Sequence, residues 1–395
     1  PVPPQYGLVF DAGSTHTSLY IYRWRGDKEN GTGIVSQVEA CRVSGECAGT
    51  CPPSPPAVPN THSTITDPSL SACSGLKGDC PGRNHIEVHS LHLREPYRLC
   101  AWAGREENSS KAERVLAEVS KAIGEFPVDF RGARILAGSE EGSFGWITVN
   151  YLLETLVKFS FAERWEHPQD TEVLGALDLG GASTQITFQP GVPVQDRNTS
   201  VFFRLYGTNY SLYSHSYLCY GQSQALKRLL AALHQRLFNF SCPGAQGPCG
   251  FNGVHQPPVR GQFFAFAGFY YTFNFLNLTH QESLSEVNAT ILSFCRRNWT
   301  EVRALFPNDL KYLPTYCSVG IYILTLLLQG YKFDEHTWTN IHFSKQAANT
   351  DIGWTLGYML NLTNMIPAEA LQHLKGHQPG LWAGTVSLLV LAILA

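Results

Sequence analysis

Two segments of the chain repeat one local pattern: a hydrophobic strand, an Asp-x-Gly loop rich in small and hydroxyl residues, and a second strand. The first is LVFDAGSTHTSLYIY at residues 8–22, and the second is GALDLGGASTQITF at residues 175–188. One such loop alone is equally well explained by a hairpin turn. Two of them, each bounded by matching strands, indicate an internal duplication. The pattern therefore predicts two similar α/β lobes that face one another.

An Asp-x-Gly loop at the end of a strand suits a phosphate site that includes a divalent cation. Glycine permits close backbone approach, so that successive N–H groups can point at anionic oxygens. The hydroxyls of Ser14, Thr15 and Ser183 add donors, and the carboxylates of Asp11 and Asp178 can hold Mg²⁺ or Ca²⁺ through water. Two such loops predict a clamp that grips a polyphosphate from both sides.

Two further segments offer groups for hydrolysis and for base recognition. The turn AGSEEG follows a predicted strand at 133–138, and Glu140 or Glu141 in it could act as a general base toward water. The alternative is that both glutamates are solvated loop charges. The aromatic run FFAFAGFYYTF at 263–273 could stack a nucleobase, although such a run more often belongs to a core.

The composition places the chain outside the cytosol. Among its 395 residues are 11 cysteines, two methionines and nine Asn-x-Ser/Thr sequons, which together are typical of a secreted or luminal N-glycosylated protein. The sequons begin at Asn30, Asn108, Asn198, Asn209, Asn239, Asn277, Asn288, Asn298 and Asn361. Local disulfides are predicted between Cys242 and Cys249 and between Cys295 and Cys317. The net charge of -3 and the lack of a long basic run argue against a nucleic-acid partner.

The chain ends in an uncharged apolar run, GLWAGTVSLLVLAILA at 380–395. This run is slightly shorter than the about 20 residues of a spanning helix. Two interpretations are open: a transmembrane anchor truncated by the end of the sequence, or the hydrophobic tail of a lipid-anchor signal. The truncated anchor is favoured, because the sequence also begins without an initiating Met or a signal sequence.

The motifs together resemble those of the ecto-nucleoside triphosphate diphosphohydrolases, or ecto-apyrases, and most closely the type 8 members. The resemblance extends over most of the chain and includes FDAGSTHTSLYIYRW, RGARILAGSEEGSFGWITVNYLL, LGALDLGGASTQITF and DIGWTLGYMLNLTNMIPA. It implies two ribonuclease-H-like α/β lobes of the actin/heat-shock-70/sugar-kinase superfamily, with the active site in the cleft between them. The expected segments are 1–138 with 354–372 for the first lobe, 139–353 for the second, the linker 373–379 and the truncated transmembrane segment 380–395.

The resemblance implies hydrolysis of extracellular nucleoside tri- and diphosphates (ATP, ADP, UTP, UDP) at the plasma membrane, dependent on Ca²⁺ or Mg²⁺. It makes Glu141 the catalytic base that activates water, and Asp11 and Asp178 the ligands of the cation, through water. The resemblance also implies membrane attachment through the C-terminal helix and through an N-terminal helix absent from the sequence. Assembly into a homo-oligomer is left open. The residues implied to bind phosphate or nucleotide are Asp11, Ser14, Thr15, His16, Gly180, Gly181, Ala182, Ser183, Thr184, Gln185 and Tyr271.

The sequence departs from the family pattern at several positions. Ser139 replaces a Gln before the two glutamates, and Gln329 stands in place of the basic residue opposite Tyr271. In CAWAGREENSS, Trp102 replaces the Thr that contacts the terminal phosphate in relatives. Comparison with the family pattern also predicts that a segment is absent between ALKRLLAALHQ and RLFNFSC. Its loss would deprive Cys219 of the partner that it has in relatives. The alternative to an active enzyme is therefore a catalytically impaired membrane glycoprotein of the same family.

Overall fold

The computed structural model describes residues 4–14, 17–26, 28, 32–42, 88–89, 109–159, 165–166, 168, 171–235 and 251–365. Trp102, the predicted disulfide between Cys242 and Cys249, and the segments 373–379 and 380–395 lie outside this part of the chain. Within it, no helix combines the length and the apolar character needed to cross a membrane.

The first repeat forms a four-stranded sheet. Its strands are β1 (Gln5–Ala12), β2 (Thr17–Trp24), β3 (Val35–Arg42) and β4 (Val88–His89), in the order β3-β2-β1-β4. β2 pairs antiparallel with both β1 and β3, whereas β4 pairs parallel with β1. Because alternate side chains of a strand point to one face, Tyr22 and Trp24 of β2 are buried together.

The second repeat lies in a six-stranded sheet. After a short hairpin of β5 (Lys158–Phe159) and β6 (Trp165–Glu166), its strands are β7 (Gly175–Leu179), β8 (Ser183–Phe188), β9 (Ser200–Leu205), β10 (Thr208–Leu218), β11 (Phe263–Ala267) and β12 (Ile341–Phe343). The order is β12-β11-β7-β8-β10-β9. β8 is antiparallel to its neighbours, and β11 is parallel to β7 and β12.

Both sheets therefore share one arrangement. The first strand of each repeat lies between an antiparallel second strand and a later parallel strand, as in ribonuclease-H-like domains. The predicted α/β fold class is confirmed. A last small hairpin, β13 (Gln346–Ala347) and β14 (Thr350–Asp351), follows the second sheet.

Eight helices occur in the described residues, and they lie between and around the sheets. They are α1 (Ser109–Gly124), α2 (Gly138–Leu152), α3 (Gln222–Gln235), α4 (Gly268–Phe275), α5 (Leu284–Cys295), α6 (Trp299–Leu305), α7 (Tyr316–Thr325) and α8 (Trp354–Met365). A π-helical turn at Leu326–Gly330 extends α7, and short 3₁₀ turns lie at Phe251–Gly253 and Trp338–Asn340.

Two hydrophobic cores cover the two faces of the six-stranded sheet. One packs the sheet against α4, α5 and α7. The other joins α2 and α8 to the opposite face and also takes in Val9, Tyr22 and Trp24 of the first sheet. The predicted lobes thus share one core, with α2 between α8 and the second sheet. A helix enclosed in this way is expected to be apolar on all sides, and residues 142–150 of α2 are all buried.

Disulfides confirm one sequence prediction and correct another. Cys295 at the end of α5 is bonded to Cys317 in α7, as predicted. Cys41 and Cys219 are also disulfide-bonded. The prediction that Cys219 has lost its partner is therefore wrong.

The contact between α2 and α8 depends on Gly357. A methyl group at Gly357 would collide with the carbonyl of Phe144 in α2. Thr148 of α2 connects the helices further, since its Oγ1 donates to the Gly353 carbonyl at 2.5 Å and accepts from the Gly357 N–H at 2.8 Å. The two backbones are thus close enough for a threonine hydroxyl to bridge them.

We expect Gly357→Ala to lower the free energy of unfolding by about 2 kcal/mol, because the added methyl group overpacks a backbone contact. The measurement is chemical denaturation followed by circular dichroism. Gly353→Ala, one turn earlier, is the matched control. A methyl group there meets nothing within 4 Å, so its effect should stay within about 0.5 kcal/mol. Similar losses in both variants would contradict this account.

Candidate active site

The two Asp-x-Gly loops begin at equivalent places in the two sheets. Asp11 is the last residue but one of β1, and Asp178 is the last residue but one of β7. Both side chains are half-buried, and both interact with other groups of the protein. Ser14 is exposed in the first loop, whereas Thr15 and His16 lie outside the described residues. The two predicted cation ligands therefore occupy matching strand ends.

Tyr20 of β2 feels the charge of Asp11 and also the charges of residues much later in the sequence. Burial raises the pKa of Tyr20 to about 12, and the charges of Asp11 and Asp351 add to this rise. Tyr271 contributes in the same direction, against a hydrogen bond from Ser18 that lowers the pKa. Such electrostatic effects require proximity. Asp11 of the first sheet, Asp351 of β14 and Tyr271 of α4 therefore all act on Tyr20.

The adjacent carboxylates Glu140 and Glu141 have different environments. Arg134 donates two hydrogen bonds to Glu140, at 2.8 and 3.1 Å, and the Ala137 N–H donates a third at 3.0 Å. Burial alone would raise the pKa of Glu140, but these hydrogen bonds and the Arg134 charge hold the pKa below its usual value. Glu141 instead accepts a hydrogen bond from Gln185 Nε2 at 2.8 Å. Glu140 is committed to the start of α2, while Glu141 faces the second loop.

Gln185 is the centre of a polar cluster, which we define as Glu141, Ser183, Gln185 and Ser216. Besides the contact with Glu141, Gln185 Nε2 lies 2.7 Å from Ser183 Oγ and 3.0 Å from Ser216 Oγ. Because an amide nitrogen has two hydrogens and accepts none, it can donate to two of these three oxygens at once. Gln185 Oε1 is buried and has no hydrogen-bond partner among the described residues. The cluster thus presents one buried acceptor beside a carboxylate.

The polar cluster and Asp178 share the face of the second sheet that packs on α2. Gln185 of β8 lies opposite Asp178 in β7 and opposite Ser216 in β10. Paired residues of antiparallel strands point to the same face. Ser214, on this face of β10, bonds to Thr187 at 2.8 Å and donates to a carbonyl at the start of α2 at 3.0 Å. A row of hydroxyls and carboxylates therefore runs beneath the helix that carries Glu141.

Two glycines allow α2 to approach this row closely. Gly138 and Gly142 lie one turn apart on the same side of the helix. A methyl group at Gly138 would collide with the Ser216 side chain, and one at Gly142 would lie 2.8 Å from Thr187 Oγ1 and 3.0 Å from Gln185 Cβ. The predictions of a strand at 133–138 and of a turn at AGSEEG are wrong, because α2 begins at Gly138 and Glu140 caps it.

The glycine loop after β7 is hydrogen-bonded to the first turn of α3. The first three N–H groups of α3 donate to the carbonyls of Gly180 and Gly181, at 2.9 to 3.1 Å. The Ala182 carbonyl accepts from the Cys219 N–H at 2.8 Å. Gly221, which precedes α3, lies so close to the loop that a methyl group there would collide with its backbone. The carbonyls of the predicted phosphate loop are thus hydrogen-bonded to α3 and to Cys219, directly after β10.

Thr184 lies on the opposite face of the sheet from the polar cluster. It is fully buried, and its hydroxyl donates to the Asp178 carbonyl at 2.7 Å and lies 2.8 Å from the Tyr331 hydroxyl. Burial raises the pKa of Tyr331 well above its usual range. This hydroxyl pair anchors the strand end that carries Asp178. Direct phosphate contact by Thr184 stays a prediction.

The aromatic run at 263–273 divides between the core and the surface. Its buried rings are Phe263, Phe266, Phe269 and Phe273. Tyr271 differs, because 49% of it is exposed. Gln329, the predicted neighbour opposite Tyr271, is exposed in the π-helical turn. Most of the run therefore serves the core, as the alternative interpretation had it, and Tyr271 is left available for a ligand.

Ser216 completes the polar cluster and was not predicted from the sequence. Its position opposite Gln185 depends on the register of β8 and β10, and neither strand contains a motif that reveals this register. The alternation of Ser214 and Ser216 in β10 was the available signal, because it places two hydroxyls on one face. Only the pairing shows that this face looks toward α2.

The cation site at Asp11 and Asp178 stays a prediction, and the described residues limit what it can contain. Within the described part of the chain, no group of three or more His, Cys, Asp or Glu side chains could enclose a metal ion. Asp11 and Asp178 supply one carboxylate from each loop. One or two carboxylates, several waters and substrate phosphates are the usual coordination of Mg²⁺ in nucleotide sites. A dedicated protein cage is therefore not part of the described site.

The chain matches the GDA1/CD39 (nucleoside phosphatase) family over residues 3–49, 89–240 and 232–377. It therefore belongs to this family, and the resemblance seen in its motifs is confirmed. The predicted enzyme class, an apyrase-type nucleoside phosphatase, is confirmed with it.

Curated relatives narrow the class. Ectonucleoside triphosphate diphosphohydrolase 8 of Gallus gallus is 58% identical over 460 residues, which cover 100% of this chain and 90% of the relative. The Homo sapiens protein of that name is 44% identical with the same coverage. Among solved structures, an Aquifex aeolicus PPX-GPPA enzyme overlaps 91% of this chain and 99% of its own, with 13% identity and a TM-score of 0.44. The predicted similarity to the type 8 members is confirmed.

We expect Gly142→Ala to reduce the turnover number for nucleotide hydrolysis by about tenfold or more, because the methyl group displaces the Gln185 side chain or the start of α2. Steady-state phosphate release measures this effect. Gly124→Ala, at the end of α1, is the control, because a methyl group there meets nothing within 4 Å. Unchanged turnover in Gly142→Ala would show that the close approach is not needed.

Proposed function

We propose that this chain hydrolyses extracellular nucleoside tri- and diphosphates, such as ATP, ADP, UTP and UDP, to the monophosphate and phosphate. The observation that carries the proposal is the 2.8 Å hydrogen bond from Gln185 Nε2 to Glu141 Oε2. It joins the start of α2, which carries the candidate base, to β8, the strand that follows the second Asp-x-Gly loop. The two bonded residues lie 44 positions apart in the sequence. General-base catalysis needs a carboxylate within hydrogen-bond reach of a positioned water.

The polar cluster provides the groups for positioning that water. Glu141 takes one proton of the water as the water oxygen attacks the terminal phosphorus. The bond from this phosphorus to the bridging oxygen breaks, and the nucleotide shortened by one phosphate leaves. Gln185 Oε1 accepts the second O–H of the water. The Ser183 hydroxyl accepts a hydrogen bond from the Gln185 amide and so orients it. Since phosphoryl transfer asks mainly for positioning and charge stabilisation, no covalent intermediate on the protein is required.

The two loops bind the phosphates and the cation, and Tyr271 binds the nucleobase. The glycine loop and the hydroxyls of Ser14 and Ser183 bind the phosphates, with Thr15, His16 and the loop residues Gly180–Gln185 in the roles that the family motif implies. Bound Ca²⁺ or Mg²⁺, held through water by Asp11 and Asp178, supplies positive charge that neutralises the phosphate oxygens. The half-exposed ring of Tyr271 stacks on the nucleobase.

The curated relatives support an extracellular site of action, because their names carry the prefix "ecto". We propose that the catalytic part faces the outside of the cell at the plasma membrane, that it is N-glycosylated, and that the apolar run at 380–395 attaches it. Glycan attachment requires an exposed asparagine. Among the described sequons, the exposed asparagines are Asn198, Asn209, Asn277, Asn288 and Asn298.

The impaired glycoprotein is the second candidate, and the family match itself supports it. The match leaves out residues 50–88, and its last two stretches overlap at 232–240. This overlap coincides with the place where the sequence predicts an absent segment. The alignment with the Gallus gallus relative also spans 460 residues against 395 in this chain. The chain therefore lacks segments that this relative contains.

We expect the chain to release phosphate from ATP and ADP in the presence of Ca²⁺, and Glu141→Gln to reduce this rate at least about 100-fold. Glu140→Gln is the matched control, because Glu140 bonds to Arg134 and Ala137 instead of the polar cluster. It should lose stability, by about 1 kcal/mol, and keep most of its activity. Hydrolysis with no nucleotide would favour the impaired glycoprotein, and equal activity losses in the two variants would refute Glu141 as the base.

We expect Ser216→Ala to lower the turnover number about tenfold with little change in KM, because Gln185 loses one of the oxygens that orient its amide toward Glu141. Ser214→Ala is the control. Its hydroxyl bonds to Thr187 and to the start of α2 rather than to Gln185, so its loss should affect stability more than turnover. The same fall in turnover in both variants would assign Ser216 a purely structural role.

A further inference from the structure

The six-stranded sheet has an exposed aromatic side chain on its outermost strand. Among the strands that the structure describes, β9 is the edge strand next to β10. Phe202 of β9 is 64% exposed, whereas Leu205 of the same strand is fully buried. An exposed phenylalanine on an unpaired edge favours association with other chains unless something covers it.

A sequon lies beside this ring on the same face of the sheet. In the register of β9 and β10, Asn209 pairs with Arg204 and Ser211 pairs with Phe202. Asn209 and Ser211 are the first and third residues of the sequon Asn-Tyr-Ser. All four side chains are exposed, while Tyr210 between them is buried on the opposite face. Asn209 is thus the diagonal neighbour of Phe202, a spacing that long side chains bridge.

The Asn209 side chain is held in an orientation that leaves its nitrogen available. Arg204 Nη1 donates to Asn209 Oδ1 at 3.1 Å. An amide oxygen stays an acceptor after its nitrogen is glycosylated, so this hydrogen bond is compatible with a glycan on Nδ2. The Asn209 amide is therefore fixed above the sheet, next to the Phe202 ring.

Two of the other described sequons lack this arrangement. Asn298 uses its side chain to cap α6, where Oδ1 accepts from the Thr300 N–H at 2.9 Å. Asn361 lies within α8, and the Thr363 hydroxyl of its sequon is buried.

We propose that Asn209 carries an N-glycan whose first N-acetylglucosamine packs its apolar C–H face on the Phe202 ring. The sugar then replaces water over an exposed aromatic side chain and covers the middle of the edge strand. Burial of apolar surface stabilises the folded chain, and the bulk of the glycan prevents β9 from pairing with another chain. Phe202 is exposed in the polypeptide because its covering group is added by modification.

The test uses the full chain produced through the secretory pathway of a eukaryotic cell line. Ser211→Ala removes the sequon and keeps the bond between Asn209 and Arg204, whereas Ser211→Thr keeps both. Mass spectrometry of the peptide around Asn209 reports occupancy, and thermal unfolding reports stability. We expect Ser211→Ala to lower the melting temperature by about 2 °C or more and Ser211→Thr to preserve it. Trimming the glycans enzymatically to one residual sugar should also preserve it.

A double-mutant cycle isolates the contact between the sugar and the ring. In a Phe202→Thr background, Ser211→Ala should cause no further loss, because the ring that the sugar covers is gone. Asn288→Gln, which removes another exposed sequon, is the control for a general effect of losing a glycan. An unmodified Asn209 overturns the proposal. Equal losses from Ser211→Ala with and without Phe202, or an equal loss from Asn288→Gln, overturn it as well.

Discussion

The close approach of α2 to the second sheet is the contact on which the site depends. Gly138 and Gly142 have no side chains that could separate the helix from β8 and β10, and the polar cluster occupies the space between them. Without this approach, Glu141 would be a solvated surface carboxylate next to Glu140. The same two glycines therefore allow the packing of the helix and bring the carboxylate to the glutamine amide. Stability and chemistry are coupled here, because any side chain at these positions would disturb both.

The two repeats have the same strand order but different surroundings. The second repeat has a helix on each face, so that its β8 is buried throughout and its polar side chains form internal hydrogen bonds. In the first repeat, β3 is largely exposed, and the charges of Asp11 and Asp351 both act on Tyr20. The duplication thus accounts for the pair of carboxylates at the strand ends. The candidate base Glu141 and the amide of Gln185 both come from the second repeat and the helix that packs on it, so the candidate site is asymmetric although its framework is repeated.

Features that depend on local chemistry were predictable from the sequence. The strands around Asp11 and Asp178 follow from hydrophobic runs bounded by glycine loops, and the disulfide between Cys295 and Cys317 follows from spacing. Features that depend on pairing between distant segments were not. AGSEEG has the composition of a turn, yet packing against β10 and the Glu140 cap make it the start of a helix. Ser216 and Phe202 gain their significance from strand register, which a single sequence specifies only weakly. The state of Cys219 likewise depends on where the chain brings its partner.

The position of α2 also connects the two halves of the site mechanically. One side of α2 carries Glu141 toward β8, and the other side packs on α8, where Thr148 bridges the two backbones. α8 in turn contacts the first sheet, since the Tyr22 hydroxyl lies 2.7 Å from Thr355 Oγ1. The strand that ends in Asp11 is thus linked to the carboxylate of Glu141 through two helices and a short series of buried hydrogen bonds. Because packed interiors transmit displacement instead of absorbing it, a shift of the first sheet relative to the second would move the candidate base as well as the candidate cation ligand.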